Sequence, residues 1–182
     1  MKYLSIVLIS ISLCFPHILE EQTILWQSSY KLSWDDFKGN PQTDTDAVAV
    51  TASGITFSYS VQTKDSKIIS FNTKAEAHFY PDKSWYLKDR ANTYILAHEQ
   101  LHFDITELHV RKFRKQIELI TVSQNLRSDL DQLHQQINKA LYAMQKQYDS
   151  ESNNSINKEQ QAHWVEFVNE ELKKLENYKS KY

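Results

Sequence analysis

Cysteine is nearly missing from this 182-residue chain: the one copy is Cys14. That excludes a disulfide framework and any zinc site built on paired cysteines. Glycine is almost as scarce, with Gly39 and Gly54 alone, so glycine-rich phosphate loops are excluded too. Neither sign of charge dominates: 21 Lys and Arg stand against 23 Asp and Glu, for a net charge of −2. A nucleic-acid binder would normally carry a basic face, and this chain has no such excess. The longest apolar run, Tyr3 to Phe15, falls short of the ~20 residues a membrane-spanning helix needs.

That apolar run follows Lys2, and a positive residue before a short hydrophobic stretch is the pattern of a secretory signal. Residues 1–21 are therefore expected to be a signal peptide and 22–182 a single mature domain, secreted or periplasmic, with no membrane span after cleavage. Leu13 before Cys14 argues against a lipid anchor, which wants a small residue there.

Proline occurs at positions 16, 41 and 81 only, and from Asp82 to Tyr182 there is neither proline nor glycine. Long helices follow from that. The pattern predicts one from about Ser84 or Asp89 to Ile120, a second from about Ser123 to Tyr148, and a third from about Asn157 to Lys179. The polar run Asp149 to Ser155 is expected to connect the last two, with Asn or Ser capping the third. Before Pro81, Ala47–Thr51, Ile55–Tyr59, Ile68–Phe71 and Ala75–Tyr80 alternate as strands, with turns at Gly54 and Lys64–Ser66. Trp34 to Gly39 reads as a tight turn that pins two aromatics on the sheet. The fold class is α+β, a small antiparallel sheet followed by long helices.

Residues 98–102 read His-Glu-Gln-Leu-His on the first of those helices. Four residues advance an α-helix by about 400°, so His98 and His102 fall on one face and can share a metal ion. Glu99 lies about 100° round, placed for a metal-bound water rather than for the metal. Zinc would acidify that water, and Glu99 would take its proton as general base in attack on a carbonyl. Ile95, Ile105, His109 and Phe113 continue the histidine stripe toward the core. The competing reading is a pair of core histidines bonded to nearby carboxylates. A helix that follows a sheet is the order expected of zincin-type peptidases.

The third ligand is open on spacing alone. His109 is eleven residues past His98, about 16 Å along an unbroken helix, and is expected to be partly exposed. Asp104 and Glu107 point off the histidine face, as supporting or surface groups. Asp149, Glu151, His134 and His163 are the downstream candidates. Tyr148 is a candidate oxyanion donor, with structural packing as its alternative role.

The motifs together resemble the bacterial exported family called domain of unknown function 922, described as zinc-dependent proteases. The resemblance runs through Leu32-Ser-Trp-Asp-Asp-Phe-Lys-Gly-Asn-Pro41, Ala49-Val-Thr51, Lys83-Ser-Trp85, and Leu96 to Leu108 around the histidines. It closes on Tyr148-Asp-Ser-Glu-Ser152, Gln160 or Gln161, and Trp164. In that closing segment the family carries a histidine where this chain has Asn154. The resemblance implies a third ligand there. Because an amide is a weak zinc donor, Asp149 or Glu151 is the expected replacement.

The expectation is an exported zinc peptidase: His98 and His102 on Zn2+, Glu99 as base, and a peptide or protein substrate along an edge strand, with Ala75 to Tyr80 the candidate edge. The rivals are a non-catalytic zinc-binding module and a helical interaction module of the cell envelope.

Overall fold

The computed structural model describes residues 21–42 and 44–180. Nearly all of the expected signal peptide lies outside the described residues. No described helix is long and apolar enough to cross a membrane.

The architecture is α+β. β1 (Ile24–Leu25), β4 (Lys67–Phe79) and β3 (Ser53–Lys64) form an antiparallel sheet in the order β1-β4-β3, and β2 (Ala49–Val50) pairs with β5 (Trp85–Tyr86). Three helices follow: α1 (Thr93–Ile117), α2 (Leu126–Ser152) and α3 (Lys158–Lys174).

The alternating segments expected at 68–71 and 75–80 are one strand: Asn72, Thr73 and Lys74 are all polar, but the in/out alternation continues through them, with Thr73 half-buried between exposed Asn72 and Lys74. Gly54 is not a turn. It sits inside β3 opposite His78. The hairpin turns instead at Asp65 and Ser66, both with positive φ (48° and 62°), which suits the right-handed twist of the flanking strands. The expected turn at Lys64–Ser66 is thus in place.

The segment 34–36 forms one turn of 3-10 helix, held by the Ser33 N–H donating to the Asp36 carboxylate (2.7 Å). It places Trp34 against Tyr86 (ring centroids 4.5 Å) and Phe37 against Phe79 (5.1 Å). Gly39 follows because its backbone runs against residues 82–84. A Cβ there would lie 2.9 Å from the Asp82 and Ser84 carbonyl oxygens.

α1 starts later than Ser84 or Asp89, because residues 81–83 form a 3-10 turn and Asn92 supplies the cap. The Asn92 side chain accepts from the N–H groups of Tyr94 and Ile95, two of the otherwise unpaired donors at a helix start. The helix packs on the inner face of the hairpin through Phe103 on Phe79 and Phe113 on Phe57.

Three expectations for this helix are corrected. His109 is buried, not partly exposed, with Nδ1 donating to the Ile105 carbonyl (2.9 Å). Of the two roles expected for Asp104 and Glu107, the surface one is excluded: both are buried and support the packing. Asp104 accepts from the Trp26 indole N–H (2.7 Å) and from Gln100, tying the N-terminal segment to α1. Glu107 accepts from Arg111 (2.8 Å), whose guanidinium also donates to the Leu172 carbonyl and Glu176 at the end of the chain.

α2 continues through Ser152, so Asp149 and Glu151 belong to a helix and not to a connection. Buried Tyr148 and Ser152 hold this last turn in place despite its poor helix formers. Asn153, Asn154 and Ser155 then take left-handed conformations, which asparagine tolerates better than most residues. Asn157 caps α3 by accepting from the Gln160 N–H.

The candidate substrate edge also needs correction. On its outer side β4 is already occupied: residues 78–79 pair with β1, the Trp26 N–H donates to the Ala77 carbonyl, and Arg114 donates to the Ala75 carbonyl. On its inner side the same stretch pairs with β3.

Candidate metal centre

One turn of α1 places His98 and His102 side by side, facing α2. Their Nε2 atoms are 3.3 Å apart. Asp149 reaches across from α2, with Oδ1 at 2.9 Å from His102 Nε2 and 3.3 Å from His98 Nε2. The three donor atoms form a small triangle, a group that could hold a metal ion. Both imidazoles are buried, whereas the Asp149 side chain is 39% exposed, so the site opens to solvent on the Asp149 side.

Tyr148 packs the other wall. Its fully buried ring stacks on His98 (4.5 Å, 26°) and meets His102 nearly edge-on (5.1 Å, 63°). Its far side contacts Trp164 (5.5 Å). The structural packing role expected for Tyr148 is therefore present, yet its hydroxyl is buried and has no partner. His98 Nδ1 is likewise buried and meets no partner among the described residues, a costly state for a ring nitrogen.

Glu99 is buried beside these groups, and its carboxylate meets no hydrogen-bond donor among the described residues. Its backbone carbonyl accepts from the Thr51 hydroxyl (3.2 Å), which ties this turn of α1 to the strand segment before β3.

The charges follow from this packing. Burial favours a neutral His102, but the hydrogen bond to Asp149 and the negative charges of Glu99 and Asp149 outweigh it and raise its pKa. Burial also opposes ionisation of Asp149, yet the hydrogen bonds from His102 and His98 hold it well below the usual carboxylate range. Burial, with the charges of Glu99 and Asp149, pushes the Tyr148 hydroxyl far up, so it stays a protonated donor.

The other candidates lie elsewhere. Glu151 turns toward α3, accepting from Gln147 (2.8 Å) and from the Trp164 indole N–H (2.8 Å). His134 is sandwiched with Phe57 and Phe113. His163 is exposed on a cleft between α2 and α3 with Met144 and Phe167. Asn154 is exposed beyond the end of α2, and its N–H donates to the Asp149 carbonyl (2.9 Å). It closes the helix that presents Asp149.

The sequence profile described as "Bacterial protein of unknown function (DUF922)" matches residues 33–156, about two thirds of the chain. The chain belongs to the DUF922 family. The DUF922 segment holds His98, Glu99, His102, Tyr148 and Asp149 and stops before α3, so Gln160, Gln161 and Trp164 fall outside it. No curated protein and no solved structure matches the chain.

Supporting residues beyond the motif emerge only from the packing. Gln145 donates to Thr106 Oγ1 (3.1 Å) and to the His102 carbonyl (3.4 Å). Thr106 in turn bonds Ser53 Oγ (2.7 Å). Gln145 stands four residues before Asp149, hence on the same face of α2. Helical spacing alone relates the two once α2 extends past Tyr148.

Proposed function

We propose that this protein is an exported, zincin-like zinc peptidase, with the metal held by His98, His102 and Asp149. The observation that carries the reading is the convergence of two imidazole nitrogens and one carboxylate oxygen beside buried Glu99, whose carboxylate meets no hydrogen-bond donor among the described residues. The donor chemistry fits zinc. Ligands at ~2.0–2.1 Å in tetrahedral array stand about 3.3 Å from one another, close to the spacings between these three atoms. A two-histidine, one-carboxylate set also leaves a coordination position open, as catalytic rather than structural zinc sites do.

Bound zinc supplies a Lewis acid that polarises a carbonyl and acidifies water. Glu99 accepts a proton from the attacking water and returns it to the leaving amine. The Tyr148 hydroxyl donates to the carbonyl oxygen as that oxygen gains charge, and its raised pKa keeps the proton in place. The stacked ring of Tyr148 fixes the orientation of His98 and limits water on that side. The sheet-then-helix order and the family resemblance support the same reading, as does the expected signal peptide for its place outside the cytoplasm.

Hydrolysis of an unfolded protein such as casein by the zinc-loaded protein, with Glu99→Gln as control, tests it. The expected loss is at least roughly 10²-fold with zinc retained. Zinc binding with no hydrolysis by the parent protein would instead identify a non-catalytic zinc module.

A further inference from the structure

β3 is the edge of its sheet, and the register shows which of its backbone groups are unpaired. The Trp26 N–H donates to the Ala77 carbonyl on the β1 side. Ala77 therefore turns its main-chain groups away from β3, and its partner across the ladder, Ile55, turns its own away from β4. The same alternation applies to Phe57 opposite Ala75, whose carbonyl accepts from Arg114, and to Tyr59 opposite Thr73 and Val61 opposite Phe71. Ile55, Phe57, Tyr59 and Val61 thus present a row of N–H and C=O groups along an edge that no described strand covers.

That edge lacks the usual protection. From Ser53 to Thr63 there is no charged residue and no proline, and the only irregularity falls at Gln62/Thr63 by the hairpin turn. Edge strands ordinarily carry lysine, proline or a bulge to prevent pairing with another chain. The opposite strand has such guards, with Lys67, Lys74 and Glu76 along β4. Meanwhile the start of β3 adjoins the candidate centre, through Ser53 on Thr106 and, just before it, Thr51 on the Glu99 carbonyl.

We propose that the outer edge of β3 binds an extended polypeptide by strand addition, with main-chain hydrogen bonds to Ile55, Phe57 and Tyr59, and delivers it to the His98–Glu99–His102 turn. Recognition through the backbone selects for unfolded or loop-extended segments and is tolerant of side chains. The cleavage of that segment rests on the peptidase reading, whereas its docking does not.

Backbone amide exchange on the full mature protein carrying Glu99→Gln separates the two. The probe is a blocked peptide of alternating threonine and valine with lysine at each end. A second peptide is N-methylated at every residue. Saturating unmodified peptide should slow exchange at Ile55, Phe57 and Tyr59 by about 10-fold or more, while Thr56 and Ser58, already bonded to β4, change little. The fully N-methylated peptide should give no protection, because methyl groups along both of its edges keep its carbonyls from pairing with the β3 amides and remove its own donors. Unchanged exchange at those three amides under saturating peptide overturns the proposal, as does equal protection by both peptides. Protection that rises with protein concentration alone overturns it in favour of a second copy of this chain on the edge.

Discussion

Asp149 Oδ1 stands within 3.3 Å of both His98 Nε2 and His102 Nε2, so a carboxylate near the end of α2 closes an imidazole pair on α1. Two consecutive helices, α1 and α2, meet at one set of donor atoms. Asp149→Ala should therefore lower zinc affinity by at least roughly 100-fold, while Glu151→Ala, which loses only bonds to Gln147 and Trp164, should leave it within about threefold. Competition with a calibrated chelator reads both. Equal loss in the two variants would move the third ligand off Asp149.

Asn154→His tests the same geometry from the other side. Asn154 is exposed and serves the helix end, so a histidine there should leave zinc affinity within about threefold and should not rescue Asp149→Ala. A rise of 10-fold or more, about 1.4 kcal/mol, would show that residue 154 reaches the metal.

Tyr148→Phe should have opposite effects on stability and rate. Removing a buried hydroxyl without a partner should leave stability unchanged or raise it by up to about 1 kcal/mol. The ring still packs on both histidines, so zinc content should hold. The turnover number should fall roughly 10²-fold with KM little changed, because the donor is used only as charge develops. Denaturant unfolding and steady-state kinetics on one preparation give both values. An unchanged turnover number would reduce Tyr148 to packing.

The reading of the sequence went furthest where one periodicity governs a segment. The His98 to Phe113 stripe, the start of α3 near Asn157 and the turn at Lys64–Ser66 are local patterns with one physical outcome, although the cap of α3 is Asn157 itself and not a residue of the 149–155 run. It fell short where tertiary contacts override local preference. Asp149 to Ser152 is poor helix sequence, and only Tyr148 and Ser152 packing inward carries α2 past it. Gly54 looked like a turn because a glycine ordinarily breaks a strand, but here it lies within a long paired hairpin. His109 looked partly exposed, and Asp104 and Glu107 looked like supporting or surface groups, because burying polar side chains is costly. Their partners, the Ile105 carbonyl, Trp26 and Arg111, are not visible in helical spacing.

His109 predicts a pH dependence. Burial lowers its pKa to about 4, against the opposing hydrogen bond to Ile105, while in the unfolded chain it titrates near 6.5. The unfolded state therefore takes up the proton first as pH falls. Stability should be full above pH ~6.5, fall between ~6.5 and ~4, and level off below, by about 3 kcal/mol from this group. His109→Gln can keep the bond to the Ile105 carbonyl without the charge, and should flatten that part of the profile. Urea midpoints of chelator-treated protein at pH 7.5 and pH 4.5 check it; identical slopes in parent and variant would contradict the assignment.

The most direct test of the zinc centre is the metal content of the purified mature protein by native mass spectrometry, alongside the His98→Ala/His102→Ala double variant. The account predicts one zinc per chain in the parent and none in the variant, with both folded by circular dichroism. A parent that stays zinc-free in micromolar zinc, or a double variant that keeps its zinc, would contradict it.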